Sequence, residues 1–274
     1  MANILVIGLG IIGGSICAAL TKAGEKVDGY DINAQSLNYA LEKGYIQRSA
    51  TDFTQYGVVF IAVPPQATIS ILENAVFQDN ALVMDICGVK SVIEKAVFAK
   101  PRNYRYLGIH PMAGKEMSGI EAASAELFSG ANLIITRNQS TNENSVNEMR
   151  QYAQKLGFGR VVECTAEEHD KKIALTSQLA HIVSNAYVKS PQVKDCKGFT
   201  GGSFQDMTRI AGVDENIWTE LYMSNRPFIL EELDGLLQQL TVYRNAIQAG
   251  DEQALSKALK EGRVIRENIK YKRR

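Results

Sequence analysis

The chain has 274 residues, room for two domains of ordinary size or one large one, and 45% of them are hydrophobic. Its 30 basic residues balance its 30 acidic ones, which argues against a nucleic-acid partner, and the basic tail from Lys270 to Arg274 reads as a solvated terminus. Ile4 to Leu20 is apolar but broken by glycines and carries no basic leader, so neither a signal peptide nor a membrane span is expected. Cys17, Cys87, Cys164 and Cys196 lie far apart without metal-type spacing. They read as reduced thiols of a cytoplasmic protein, with no metal site.

In chain order, seven short β-rich runs come first: 3–8, 26–31, 58–64, 81–87, 104–110, 131–136 and 159–164. Helical patterns fit between them. Near-continuous apolar strands predict a sheet covered on both faces, hence a mostly parallel, doubly wound α/β domain over 1–164. After Cys164 the texture changes. Thr165 stands as an N-cap with Glu168 in the capping-box position, and no strand is expected from there to Arg274. The pattern is helical, interrupted at Ser190–Pro191, at 198–202, at Gly212 and near Gly250. An all-α second domain over 165–274 follows.

The first strand run leads into Gly8-x-Gly10-x-x-Gly13 and then into an apolar helix. That context makes the glycines a dinucleotide fingerprint of the Rossmann type. Gly8 allows the tight turn, Gly10 lets backbone approach a pyrophosphate, and Gly13 lets helix and strand pack closely. The helix start at Ile11 and Ile12 supplies N–H groups and the positive end of the dipole. Asp31 ends the second run, 21 residues after Gly10. A carboxylate there accepts from ribose hydroxyls, and no Arg or Lys follows it closely to hold a 2′-phosphate, so NAD is the expected cofactor. Val63 and Pro64 end the third run and are expected to border the nicotinamide half of the site.

His110, in HPMAGKEMSG, ends the fifth run and therefore falls at the carboxyl edge of the sheet. An imidazole there either takes a hydroxyl proton while hydride leaves the same carbon, or hydrogen-bonds its own loop. Further on, Gln178, His181 and Asn185 share one face of a helix of 3.6 residues per turn. This polar stripe either lines a site or joins a buried network. His169 reads as a solvated or capping residue. Arg209, between glycine breaks, offers planar recognition of a carboxylate or pairs with Asp206 or Asp214. Trp218 reads as core packing.

Together GLGIIGGS, AVPP, HPMAGKEMSG, the EEHD…H helix and GGSFQDMTRIA followed by Trp218 resemble the prephenate/arogenate dehydrogenases of tyrosine biosynthesis, in the family's order and over nearly the whole chain. The resemblance implies a Rossmann domain followed by a helical domain that forms a homodimer. It implies NAD-dependent oxidative decarboxylation of prephenate to 4-hydroxyphenylpyruvate, with arogenate as the alternative substrate. On it, His110 acts as base, Arg209 holds a substrate carboxylate, and His181, Gln178 and Trp218 line the pocket. Glu116 supports the His110 loop. Two departures stand out: Gly88 occupies a position where many members carry serine, leaving water, backbone or Ser91 to substitute, and Gln178 replaces a histidine. A β-hydroxyacid dehydrogenase or imine reductase is a weaker reading, because Lys171 and Lys172 lack the motif such enzymes place around a helical-domain lysine. A non-catalytic NAD-binding dimer is the remaining alternative.

Overall fold

The computed structural model describes residues 3–114 and 117–269; Glu116 and the basic tail from Lys270 lie outside the described residues. All seven β-rich runs form strands: β1 (Ile4–Ile7), β2 (Val27–Tyr30), β3 (Val58–Ile61), β4 (Leu82–Asp85), β5 (Arg105–Pro111), β6 (Asn132–Thr136) and β7 (Arg160–Cys164). They build one sheet in the order β2-β1-β3-β4-β5-β6-β7. Every neighbouring pair is parallel except β5 and β6, which are antiparallel. Parallel neighbours need a crossover, usually helical. Among its described residues, the link from β5 to β6 carries only a short 3₁₀ turn, Ile120–Ala122, and the chain doubles back there.

The crossover helices are α1 (Ile11–Lys22), α2 (Ala34–Glu42), α3 (Pro65–Asn74), α4 (Ser91–Phe98) and α5 (Glu143–Lys155). They cover both faces of the sheet. Ile4, Val6, Phe60 and Met84 belong to one buried cluster, whereas Leu5, Ile7, Val59 and Val83 belong to the other. Successive side chains of a strand point to opposite faces, so a strand buried on both sides reads as an unbroken apolar run.

Among the described residues, only helices follow β7 as regular elements, chiefly α6 (Ala166–Ile173), α7 (Ala180–Tyr187), α8 (Gly202–Thr208), α9 (Glu215–Ser224), α10 (Arg226–Ala249) and α11 (Glu252–Asn268). The capping box forms as expected, with Glu168 N–H donating to Thr165 Oγ1 at 3.1 Å and Thr165 N–H to Glu168 Oε2 at 3.0 Å. One stretch departs from the expected α-helix: Ala174–Leu179 is a π-helix between α6 and α7. Wider turns of this kind often occur at functional sites.

The chain forms two compact units, Met1–Arg226 and Pro227–Arg274. The change in texture at 164/165 coincides with the end of β7, yet α6 to α9 belong to the same unit as the sheet. Asp170 of α6 explains part of this, because its carboxylate accepts the Lys90 and Ser91 N–H groups at 2.9 and 2.8 Å and so caps α4. The second unit contains α11 and all but the first residue of α10. Gly250, at φ +64°, turns the chain between the two helices, and Asp251 caps α11 by accepting Ala254 N–H at 2.9 Å. Among the described residues, no helix is long and apolar enough to cross a membrane.

Candidate active site

The glycine loop closes as its spacing predicts. Gly8 has φ +91°, and a Cβ there would stand 2.4 Å from the Ala62 carbonyl oxygen. A Cβ on Gly13 would stand 1.8 Å from the Gly8 oxygen. Only hydrogen fits at either place, so β1, α1 and the end of β3 approach closely. A Cβ on Gly10, by contrast, would meet nothing within 4 Å. Gly10 is the N-cap of α1 and no side chain caps that helix, so the first-turn N–H groups of Ile11 and Ile12 stand beside open space. Asp31 lies next to the loop. Its carboxylate accepts Leu9 N–H at 2.6 Å and Asn33 N–H at 2.8 Å, which fixes it while each oxygen keeps a further lone pair. An open glycine, an uncapped helix start and an anchored acid fit the pyrophosphate and ribose of a dinucleotide. Past β3, the Val63 carbonyl accepts from Thr68 Oγ1 at 3.0 Å and Cys87 Sγ at 3.3 Å, which steadies the loop through Pro64.

His110 sits two residues beyond the last β4-paired position of β5, Gly108, and so at the carboxyl edge. It does more than bond its own loop. Its Nδ1 lies 2.9 Å from Nε2 of His169, whose Nδ1 lies 2.8 Å from Asp170 Oδ1. His169 is 1% exposed, so its expected place as a solvated or capping residue is corrected: it forms the middle of a buried relay. The tautomers follow from the end of that relay. Burial disfavours charge on Asp170, but bonds from His169 and Ser91 outweigh it and hold the carboxyl below its usual range. An ionised Asp170 only accepts, so His169 donates from Nδ1 and leaves Nε2 as acceptor for the His110 Nδ1–H. The His110 lone pair is then on Nε2.

Burial holds His110 well below the usual imidazole range, and the neighbouring His169 ring and Lys90 charge, which penalise a proton on it, act in the same direction. His169 is lowered as well, chiefly by burial. Lys90 is itself fully buried. Its Nζ pairs with Asp85 Oδ1 at 2.5 Å, and Tyr106 Oη donates to Asp85 Oδ2 at 2.6 Å. This pair pins the segment 85–90, which carries Gly88. A Cβ on Gly88 would lie 3.8 Å from His110 Nε2 and 3.7 Å from Leu221 Cδ2, so the place beside the His110 lone pair has room for a small group. Ser91 does not fill it, since the Ser91 hydroxyl makes no hydrogen bond to His110.

The polar stripe on α7 has a definite task. His181 Nδ1–H donates to the Ile210 carbonyl at 2.9 Å, Ser184 Oγ to Met207 at 2.7 Å, and Asn185 Nδ2 to Ala211 at 3.1 Å. Three side chains of one face thus hold the backbone on both sides of Arg209, which is exposed. The His181 ring also packs against Trp218, with centroids 4.0 Å apart. Trp218 is half-buried and stacks on this wall rather than in a closed core. Gln178 is 2% exposed and belongs to a buried network. It accepts from Asn225 Nδ2 at 2.5 Å and donates to the Leu221 carbonyl at 3.4 Å, while the same Asn225 amide reaches the Asp170 carbonyl at 2.9 Å.

Sequence reasoning missed His169, Asp170, Asp85 and Lys90. The only available signal was the pair of polar residues in EEHD, on a helix that otherwise reads as solvated. Among the described residues, no group of side chains could hold a metal ion.

A nucleotide cradle and a relayed imidazole at one sheet edge define a dinucleotide-dependent dehydrogenase. Residues 16–163 match the model of the prephenate dehydrogenase nucleotide-binding domain, and residues 165–261 that of the prephenate dehydrogenase dimerization domain. The chain is 30% identical to the prephenate dehydrogenase of Bacillus subtilis over 97% of its own length and 76% of that protein's. It is 29% identical to the cyclohexadienyl dehydrogenase of Zymomonas mobilis, over 98% and 96%. The crystal structure of prephenate dehydrogenase from A. aeolicus in complex with hydroxyphenyl propionate and NAD+ superposes with a TM-score of 0.85 at 27% identity, over 98% of this chain and 99% of that one. This chain belongs to the prephenate dehydrogenase family.

Proposed function

We propose that the chain converts prephenate to 4-hydroxyphenylpyruvate and CO2 with reduction of NAD, as a homodimer in the cytoplasm. The observation that carries this is the relay from Asp170 through His169 to His110, which leaves a neutral Nε2 at the edge where the glycine loop opens. We assign residues 1–164 to NAD binding and 165–274 to substrate binding and dimerisation; the abutting family matches support that division.

When bound, NAD supplies the hydride acceptor, and Gly8, Gly10, Ile11, Ile12, Gly13, Asp31, Val63 and Pro64 would hold it. His110 Nε2 takes the proton of the ring hydroxyl as the hydride leaves the same carbon. The positive charge that develops on His110 is stabilised through His169 by the Asp170 carboxylate. Loss of the ring carboxylate as CO2 then completes an aromatic ring, which drives the step downhill. Gly88 leaves the substrate hydroxyl room to reach Nε2. Arg209 holds a substrate carboxylate from a segment whose carbonyls His181, Ser184 and Asn185 keep in place. His181 and Trp218 form the wall beside it. Gln178 contributes indirectly, by joining α9 to Asn225 and the Asp170 backbone.

The test is NADH formation, followed spectrophotometrically, with prephenate, arogenate and a panel of small hydroxy acids. Turnover of prephenate above the others supports the reading. Preference for arogenate, which carries an ammonium in place of the keto group, changes the substrate but keeps the chemistry. Binding of NAD with no turnover of either would overturn it.

A further inference from the structure

Helix α3 begins at Pro65 with Pro64 as N-cap, so it has no side-chain cap of its own and its first residue brings no N–H. The next donor, Gln66 N–H, goes to the carboxylate of Glu220, 154 residues away on α9. An acid at a helix start is also favoured by the dipole. Thr68 and Cys87 hold the adjacent Val63 carbonyl from the other side. The loop 62–65 is therefore held from the sheet side and from α9 at once.

The same turn of α9 touches the rest of the site. Trp218 packs on His181. The Leu221 carbonyl accepts from Gln178, and its Cδ2 lies 3.7 Å from where a Cβ on Gly88 would stand. Within four residues, one helix meets the substrate wall, the cofactor loop and the space beside the base.

We propose that Glu220 is a positioning residue that links cofactor binding to substrate binding, by tying the loop at 62–65 to the helix that carries Trp218. The inference rests on the functional reading above, in which that loop borders the cofactor and Trp218 the substrate. A substrate ring packed on Trp218 orders α9, and Glu220 passes that order to the Gln66 N–H and the cofactor loop. Linkage of this kind is reciprocal, so NAD orders the substrate wall by the same bond.

The full chain tests it by calorimetry of NAD binding with and without saturating 4-hydroxyphenylpyruvate, together with steady-state kinetics. Glu220→Ala should reduce the factor by which the product changes NAD affinity by about fivefold or more, the lower range of allosteric couplings. KM for both NAD and prephenate should rise while kcat stays within about threefold. Glu220→Gln keeps an oxygen acceptor for Gln66 and should restore most of the coupling. Glu215→Ala, at the exposed start of α9, should match the wild type. The linkage is refuted if Glu220→Ala lowers only thermal stability and leaves the coupling factor intact, or if the wild type shows no coupling. Absence of NADH from both prephenate and arogenate in the wild type refutes the functional reading and this inference with it, so the two failures are told apart.

Discussion

At the scale of single residues, the proposed mechanism turns on His110. Asparagine at that position keeps a polar side chain but cannot take the proton. His110→Asn should lower kcat by roughly 10²–10⁴, the usual worth of a positioned general base, with NAD affinity by calorimetry largely kept. The pH dependence follows from the direction of its shift. Burial holds the folded-state pKa of His110 well below 6.5, so the base stays unprotonated under mildly acidic conditions. The acid limb of kcat/KM should fall below pH 6.5. Stability shifts in the same direction. Unfolded histidines take up protons below about pH 6.5, whereas His110 and His169 resist protonation when folded. Their contribution is complete above that pH and is lost as pH falls from there toward the lowered values. Urea midpoints should drop between pH 7.5 and 5.5, and drop less in His110→Asn.

At the scale of elements, helices are held together by side chains that stand in for missing caps. Asp170 closes the start of α4 and anchors the relay with the same carboxylate. Asp170→Ala leaves the buried Lys90 N–H, the partly buried Ser91 N–H and His169 without that acceptor. It should cost about 3 kcal/mol, combining a lost cap with a buried charged hydrogen bond. Urea denaturation measures this, and kcat should fall with it because His169 loses its tautomer. The three-fold hold of α7 on the 207–211 backbone shows why the polar stripe exists: it fixes Arg209 by main-chain contacts while the guanidinium remains exposed.

At the scale of the molecule, the second unit displays unpaired apolar side chains. Leu230, Leu237, Leu240 and Ile247 on α10 are each about half exposed or more. Their spacing along the helix places them near one stripe, within the span that matches the dimerization domain. Leu240→Asp should shift the protein from dimer toward monomer in sedimentation equilibrium. Helix α10 should stay folded by circular dichroism, since the substituted side chain is exposed in the isolated chain.

Much of this was legible in the residues. Strand runs buried on both faces, the glycine spacing and Asp31 are local patterns, and local patterns are set by backbone sterics and periodicity. They located the sheet, the edge at which the glycine loop opens, and His110 on that edge. The partners of His110 were not legible, because His169 is 59 residues away and its own neighbourhood reads as a wet helix start. Gln178, His181 and Asn185 were visible as a face, but what a face touches depends on which segment folds back against it. Glu220 offered no signal at all, since a lone acid on a helix acquires meaning only from the N–H that reaches it. Sequence periodicity determines which elements form and where the sheet edge lies. Burial, helix capping and the tautomers of the relay come from contacts between residues distant in the chain, and only the tertiary structure brings those together.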